Sequence, residues 1–180
     1  MKTYKPILIL GAVLAFQSSS QAGAPASVPV PKATFVQNST KAINYSSLKS
    51  STKIDFKGTA LAPDVKGSAT VKSKDGGTYI DANFENLPAA TQFGPEYLTY
   101  VLWAVSPEGR PTNLGQLIVK KGKSKLEAKE PLQSFGLIVT AEPYFAVSAP
   151  SNAVVLENAA RKDTKGTVET IDAKYERPMQ

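Results

Sequence analysis

The stretch Tyr97-Leu98-Thr99-Tyr100-Val101-Leu102-Trp103-Ala104-Val105 decides the fold. Leu98, Tyr100, Leu102 and Ala104 have one parity, and Val101, Trp103 and Val105 have the other. Side chains of a strand alternate between faces, so a run apolar at both parities reads as a strand covered on both sides. A short buried helix is the rival reading. Aromatic and β-branched enrichment and the Pro107-Glu108-Gly109 turn that follows favour the strand. Phe135 to Ala141 (FGLIVTA) is a second run of this kind.

Outward from these runs the chain alternates with period two. Ile54 and Phe56 are interleaved with Lys53, Asp55 and Lys57. Ala69 and Val71 are interleaved with Thr70 and Lys72. After the turn signal Asp75-Gly76-Gly77, Ile80, Ala82 and Phe84 are interleaved with Asp81, Asn83 and Glu85. Each run offers one apolar and one polar face, the pattern of a half-buried antiparallel strand. Leu114 to Val119, Lys125 to Ala128 and Ala153 to Leu156 read as further short strands, with Gly122 reversing the chain between the first two. A Pro- and Ala-rich loop covers 87–95. The spacing predicts an all-β, immunoglobulin-like antiparallel β-sandwich of about seven strands over residues 52–158. Trp103 is expected on a central strand, facing the opposing sheet.

The flanks read differently. Lys2 and Lys5 precede the uncharged run Ile7 to Phe16, and Ser20-Gln21-Ala22 fits a small-x-small cleavage site. Residues 1–22 are therefore expected to be a signal peptide cut after Ala22. The run is about half the ~20 apolar residues that a membrane span needs. No transmembrane segment is expected after cleavage. Residues 23–51, rich in Pro, Ala and then Ser and Thr, are predicted to be a disordered linker, with little apolar surface to offset ordering. Residues 159–180 are predicted to be a polar tail or linker that can carry a short extra strand at 166–171 and lead into a further segment.

Composition narrows the chemistry. The 180 residues contain 21 Lys+Arg and 15 Asp+Glu, with neither His nor Cys. That excludes a Ser-His-Asp triad, imidazole or thiolate metal ligands, a thiol nucleophile and disulfides. The basic excess is mild and gives no nucleic-acid footprint. Lys120, Lys121, Lys123, Lys125 and Lys129 flank a hairpin turn and read first as a solvated tip that discourages edge pairing. A contact with anionic envelope polymers is the sharper reading.

Two blocks of short motifs resemble the extracytoplasmic C-terminal domain of anti-sigma-K factors. The first is Tyr100-Val-Leu102-Trp103, then Gly109-Arg-Pro111, then Leu114-Gly115. The second is Thr140-Ala-Glu142-Pro143 with Ser148-Ala-Pro150 beyond it. The chain departs from the family in having Tyr144 to Val147 where Gly-Gly is usual, and in lacking the sigma-binding helices and membrane span. The resemblance implies a β-sandwich outside the cytoplasm, without sigma-factor inhibition. The tail Arg161 to Glu176 is similar to the junction by which some bacterial envelope modules lead into a peptidoglycan-binding domain. Neither resemblance implies catalytic residues.

The motif residues have structural readings: Gly109 and Pro111 in a turn, Gly115 at a close backbone approach, Glu142 accepting backbone N–H groups in a corner. Gly122-Lys123-Ser124 lacks the first glycine of a phosphate loop, since position 117 is Leu. Ser46/Lys49 and Ser50/Lys53 match Ser-x-x-Lys without the companion Lys-Thr-Gly element. Asp81 and Asn83 share a face but are too few for a Ca²⁺ site. Asp81, Glu85, Glu96 and Glu142 leave a convergent glycosidase pair open. Tyr97, Tyr144 and Phe145 are candidates for an exposed aromatic patch. The expectation is an exported, non-enzymatic module of the bacterial cell envelope, periplasmic or secreted. It has no catalytic residue, cofactor or metal, and its partner is an envelope protein or a cell-wall polymer. An anti-sigma-like sensing domain and a carboxylate-dependent carbohydrate-active enzyme are the alternatives.

Overall fold

Asp75 and Gly76 both adopt positive φ, 51° and 73°. A two-residue type I′ hairpin needs that pair, and its twist matches the strands that it joins. It links β4 (Lys66–Lys74) to β5 (Gly77–Glu85). Lys121 and Gly122, at φ 51° and 76°, repeat the device between β7 (Pro111–Leu117) and β8 (Ser124–Glu130). The remaining strands are β1 (Val36–Gln37), β2 (Thr40–Asn44), β3 (Ser51–Gly58), β6 (Thr99–Val105), β9 (Ser134–Glu142), β10 (Val154–Ala160), β11 (Thr167–Ile171) and β12 (Lys174–Tyr175). This computed structural model describes residues 36–37, 40–171 and 174–175, and side chains over 40–168. The expected signal peptide at 1–22 and the expected linker as far as residue 35 lie outside the described residues.

Every named pair of strands is antiparallel. β1 and β12 form a two-stranded ribbon, and the other strands form one ten-stranded sheet. Within it the order β7-β6-β9-β10-β3-β4-β5-β8 brings the end strands β7 and β8 alongside each other, so the sheet curls nearly into a barrel. β6 and β7 form a hairpin, and β8, which follows β7 in the chain, pairs with β5. β9 also pairs at its start with β2, and β2 carries β11 on its far side.

The core lies inside the curl. Phe56, Val71, Ile80, Phe84, Tyr100, Leu102, Leu137 and Val139 are buried there. Each large apolar side chain contributes about 1.5–3 kcal/mol by leaving water. Phe56 and Phe84 meet across β4 with ring centroids 5.0 Å apart. A short 3-10 turn, Ala90–Phe93, lies in the expected 87–95 loop and brings Phe93 edge-on to Tyr100.

The all-β, antiparallel expectation agrees with this structure. The finer expectation, a sandwich of about seven strands over 52–158, is not shown by it: the strands form one nearly closed sheet that extends beyond those bounds. Thr40–Asn44 lies within the expected linker but forms β2, with Ala42, Ile43 and the following Tyr45 wholly buried. Its stability comes from docking on β9, which local composition cannot display. β10 runs to Ala160, and β11 occupies 167–171, where the short extra strand was expected. β8 alternates Lys and Glu with small or apolar residues and pairs fully with β5.

Candidate functional site

β6 has two buried faces, and they serve different clusters. Tyr100, Leu102 and Ala104 enter the main core. Val101, Trp103 and Val105 join Ile138 and Val154 in a smaller cluster on the outer face of the sheet, with Val147 packed against it. Trp103 is therefore fully buried, but not against an opposing sheet. The segment 143–153 between β9 and β10 crosses this outer face as a strap.

Buried polar groups need partners, and those under the strap form a chain. Trp103 Nε1 donates to Thr140 Oγ1 at 2.8 Å. The Thr140 hydroxyl donates to Glu142 Oε1, and the Ser151 backbone N–H donates to the same oxygen at 2.7 Å. Ser151 Oγ donates to the Ala141 carbonyl at 2.7 Å and accepts the Ala153 N–H at 3.1 Å. Trp103, Thr140, Glu142 and Ser151 are all at most 3% exposed. The register sets this up: Trp103 pairs with Ile138 and Val101 with Thr140, so alternate β9 residues share the outer face with Trp103. Glu142 thus clamps the far end of the strap to the strand where the strap begins.

The near end is held by Asn113. Its Nδ2 donates to the Phe145 and Val147 carbonyls at 2.9 and 3.0 Å, and its Oδ1 accepts the Gly115 N–H at 3.0 Å. Gly115 sits at the bulge between β7 and β6 with φ 133°, which favours glycine. Tyr144 and Phe145, at the outer surface of the anchored strap, are 56% and 58% exposed, while Tyr97 is half-buried against the main core.

The remaining motif residues are placed as follows. Tyr100 donates its hydroxyl to the Pro88 carbonyl at 2.9 Å, and burial pushes that hydroxyl up to about 12. Gly109, at φ 79°, donates its N–H to the Ser106 carbonyl at 2.9 Å, and Pro111 opens β7. Leu114 packs against the main core. Pro143 and Ser148 are exposed, and Pro150 is buried. The sequence reading named Ser148, whereas Ser151 is the serine that meets Glu142. Asn113 was also missed. A polar residue opposite Trp103 in a hairpin was the available signal for it.

Asp81 and Glu142, two of the four carboxylates named from the sequence, lie on different strands, and the carboxylate that faces Asp81 is Glu127, across β5 and β8. Asp81 projects from the outer face of β5, Glu142 ends β9, and β10, β3 and β4 separate those strands. Glu85 and Glu96 are exposed. Asp81 and Glu127 both pair with Lys125, at 3.4 and 3.0 Å. Glu127 first, and Asp81 next, hold the Lys125 ammonium above its ordinary range.

No family model, curated protein or solved structure matches the chain, so none of them supports the resemblance to the anti-sigma-K domain. Among the described residues no helix is long and apolar enough to cross a membrane.

Proposed function

We propose that this chain is an exported, non-enzymatic module of the bacterial cell envelope, structural or binding in role. One observation carries the reading. The motif groups best suited to chemistry, Thr140 and Glu142, are bonded to Trp103 and Ser151 beneath the strap, where they fix its shape. A general acid needs access to substrate, and Glu142 is 2% exposed. The strap in turn presents Tyr144 and Phe145 outward, as a binding surface would. Lys2, Lys5 and the run Ile7 to Phe16 support export. The all-antiparallel pairing is compatible with an immunoglobulin-like origin, which is part of the same proposal.

The test is expression in a bacterial host from Met1, followed by cell fractionation and mass spectrometry of the intact protein. The expected result is an envelope or periplasmic protein beginning at Gly23. A cytoplasmic protein retaining residues 1–22 overturns the export reading. Glu142→Gln and Asp81→Asn are assayed beside wild type on a glycan panel. Hydrolysis by wild type that either change abolishes establishes the carbohydrate-active alternative.

A further inference from the structure

The outer face of β3, β4, β5 and β8 holds an open groove, and its side chains fall into rows set by the strand register. Ser51, Lys72, Tyr79 and Lys129 stand opposite one another across the four strands. The next row is Lys53, Thr70, Asp81 and Glu127. The inward neighbours Ala69, Val71, Ile80 and Ala82 lie in the core, so these residues face out. The open groove has a volume of about 690 Å³ and is lined by Ser51, Thr70, Lys72, Tyr79, Asp81 and Glu127, while Lys53 and Lys129, in the same rows, stand beside that lining. That lies within the range of ligand sites, roughly 300–1,000 Å³.

The charges on this face are unequal in their engagement. Asp81 and Glu127 are held by Lys125, and Lys74 pairs with Asp75. Lys53, Lys72 and Lys129 have no carboxylate partner among the described residues, and the Lys129 ammonium lies over the Tyr79 ring, 5.2 Å from its centroid. The face therefore offers uncompensated cations on both sides of an aromatic ring, with hydroxyls and carboxylate acceptors in the next row. Lys72 and Lys129 stand two strands apart, about 10 Å along the row, which is about the length of a disaccharide.

We propose that this face binds a linear polysaccharide in which sugars bearing a carboxylate alternate with neutral ones. The carboxylates meet Lys72 and Lys129, a ring lies beside Tyr79, and Asp81 and Glu127 accept hydroxyls of the neutral sugar. The complementarity is specific to sparse negative charge. A polymer with a phosphate at every unit would bring phosphates against Asp81 and Glu127. A protein partner would want a more apolar centre than one tyrosine provides. This inference rests on the envelope reading above and names the polymer class for it.

The experiment is an ¹⁵N NMR titration of the purified protein with oligosaccharides of alternating glucuronate and N-acetylglucosamine. Neutral N-acetylglucosamine oligomers and a ribitol-phosphate polymer are the comparison ligands. The expected result is perturbation of amides in 70–72, 79–81 and 127–129 by the uronate ligand, weakening as salt rises. Lys72→Glu combined with Lys129→Glu lowers affinity by about tenfold or more, with amide shifts elsewhere unchanged. Perturbation at other sites, an unchanged affinity in the double variant, or equal binding of either comparison ligand overturns the inference. Fractionation separates it from the reading beneath it. A protein that reaches the envelope but ignores the uronate ligand loses only this inference, and a protein that never reaches the envelope loses both.

Discussion

Glu142 shows how much one side chain can do for shape. Its carboxylate takes the Thr140 hydroxyl and the Ser151 N–H in a place with almost no water. Glu142→Ala leaves both donors buried and unpaired, and is expected to cost about 2–5 kcal/mol in urea unfolding. Trp103→Ala opens a cavity in the smaller cluster at about 3–5 kcal/mol. Trp103→Phe keeps most of the volume and loses the donor, so it should cost clearly less than the alanine change. Trp103 is also the sole tryptophan, and its full burial predicts emission that iodide scarcely quenches until the protein unfolds. Glu157 behaves in the opposite way. Partial burial holds its carboxyl above its ordinary value of 4.5. An acid whose folded value is raised binds its proton more tightly when folded. It therefore destabilises progressively as pH climbs through its unfolded and then its folded value. Glu157→Gln should be more stable than wild type at neutral pH in urea melts, and the difference should vanish below the ordinary carboxylate range. That Trp103 is buried was legible in the sequence. Which cluster it joins was not, because periodicity assigns a residue to a face and says nothing of what covers the face.

Strands differ in how plainly they announce themselves, and the reason is where their stability originates. β5 carries Ile80, Ala82 and Phe84 against Asp81, Asn83 and Glu85, and its Asp-Gly turn adopts the two positive φ angles that such a turn needs. β2 has only Ala42 and Ile43 as buried apolar residues within its bounds, and it is held by groups remote in sequence. Asn158 accepts the Leu137 N–H and the Thr40 hydroxyl and donates to the Lys41 carbonyl, tying β2, β9 and β10 together. No local window contains that arrangement. Gly136 tests it. A Cβ there would lie 2.7 Å from Thr40 Cγ2 and 3.1 Å from the Lys41 carbonyl oxygen. Gly136→Ala should push β2 from β9, raising amide exchange across β2 while β4 and β5 keep their protection. Gly115→Ala strains the bulge at φ 133° and is expected to cost about 1–3 kcal/mol, read as a lower urea midpoint.

At the scale of the molecule, the curled sheet has two outer surfaces that differ in what covers them. One is covered by the strap, whose polar groups are bonded inward. The other, across β3, β4, β5 and β8, is left open, and among the described residues no carboxylate engages its Lys53, Lys72 and Lys129. The candidate polymer contact in the sequence was the lysine group at 120–129. Of these, Lys129 lies in the proposed face beside Tyr79, while its neighbour there, Lys72, came from a strand read only as half-buried. Cross-strand register made the difference, since it joins residues more than fifty positions apart. Binding without turnover is the claim on which the account turns. It is tested most directly by a single calorimetric titration of the wild-type protein with the alternating uronate oligosaccharide. The account predicts heats that saturate and then fall to the dilution baseline. A sustained heat of turnover by the wild-type protein would contradict it, and so would a titration with no binding heat accompanied by unperturbed amides.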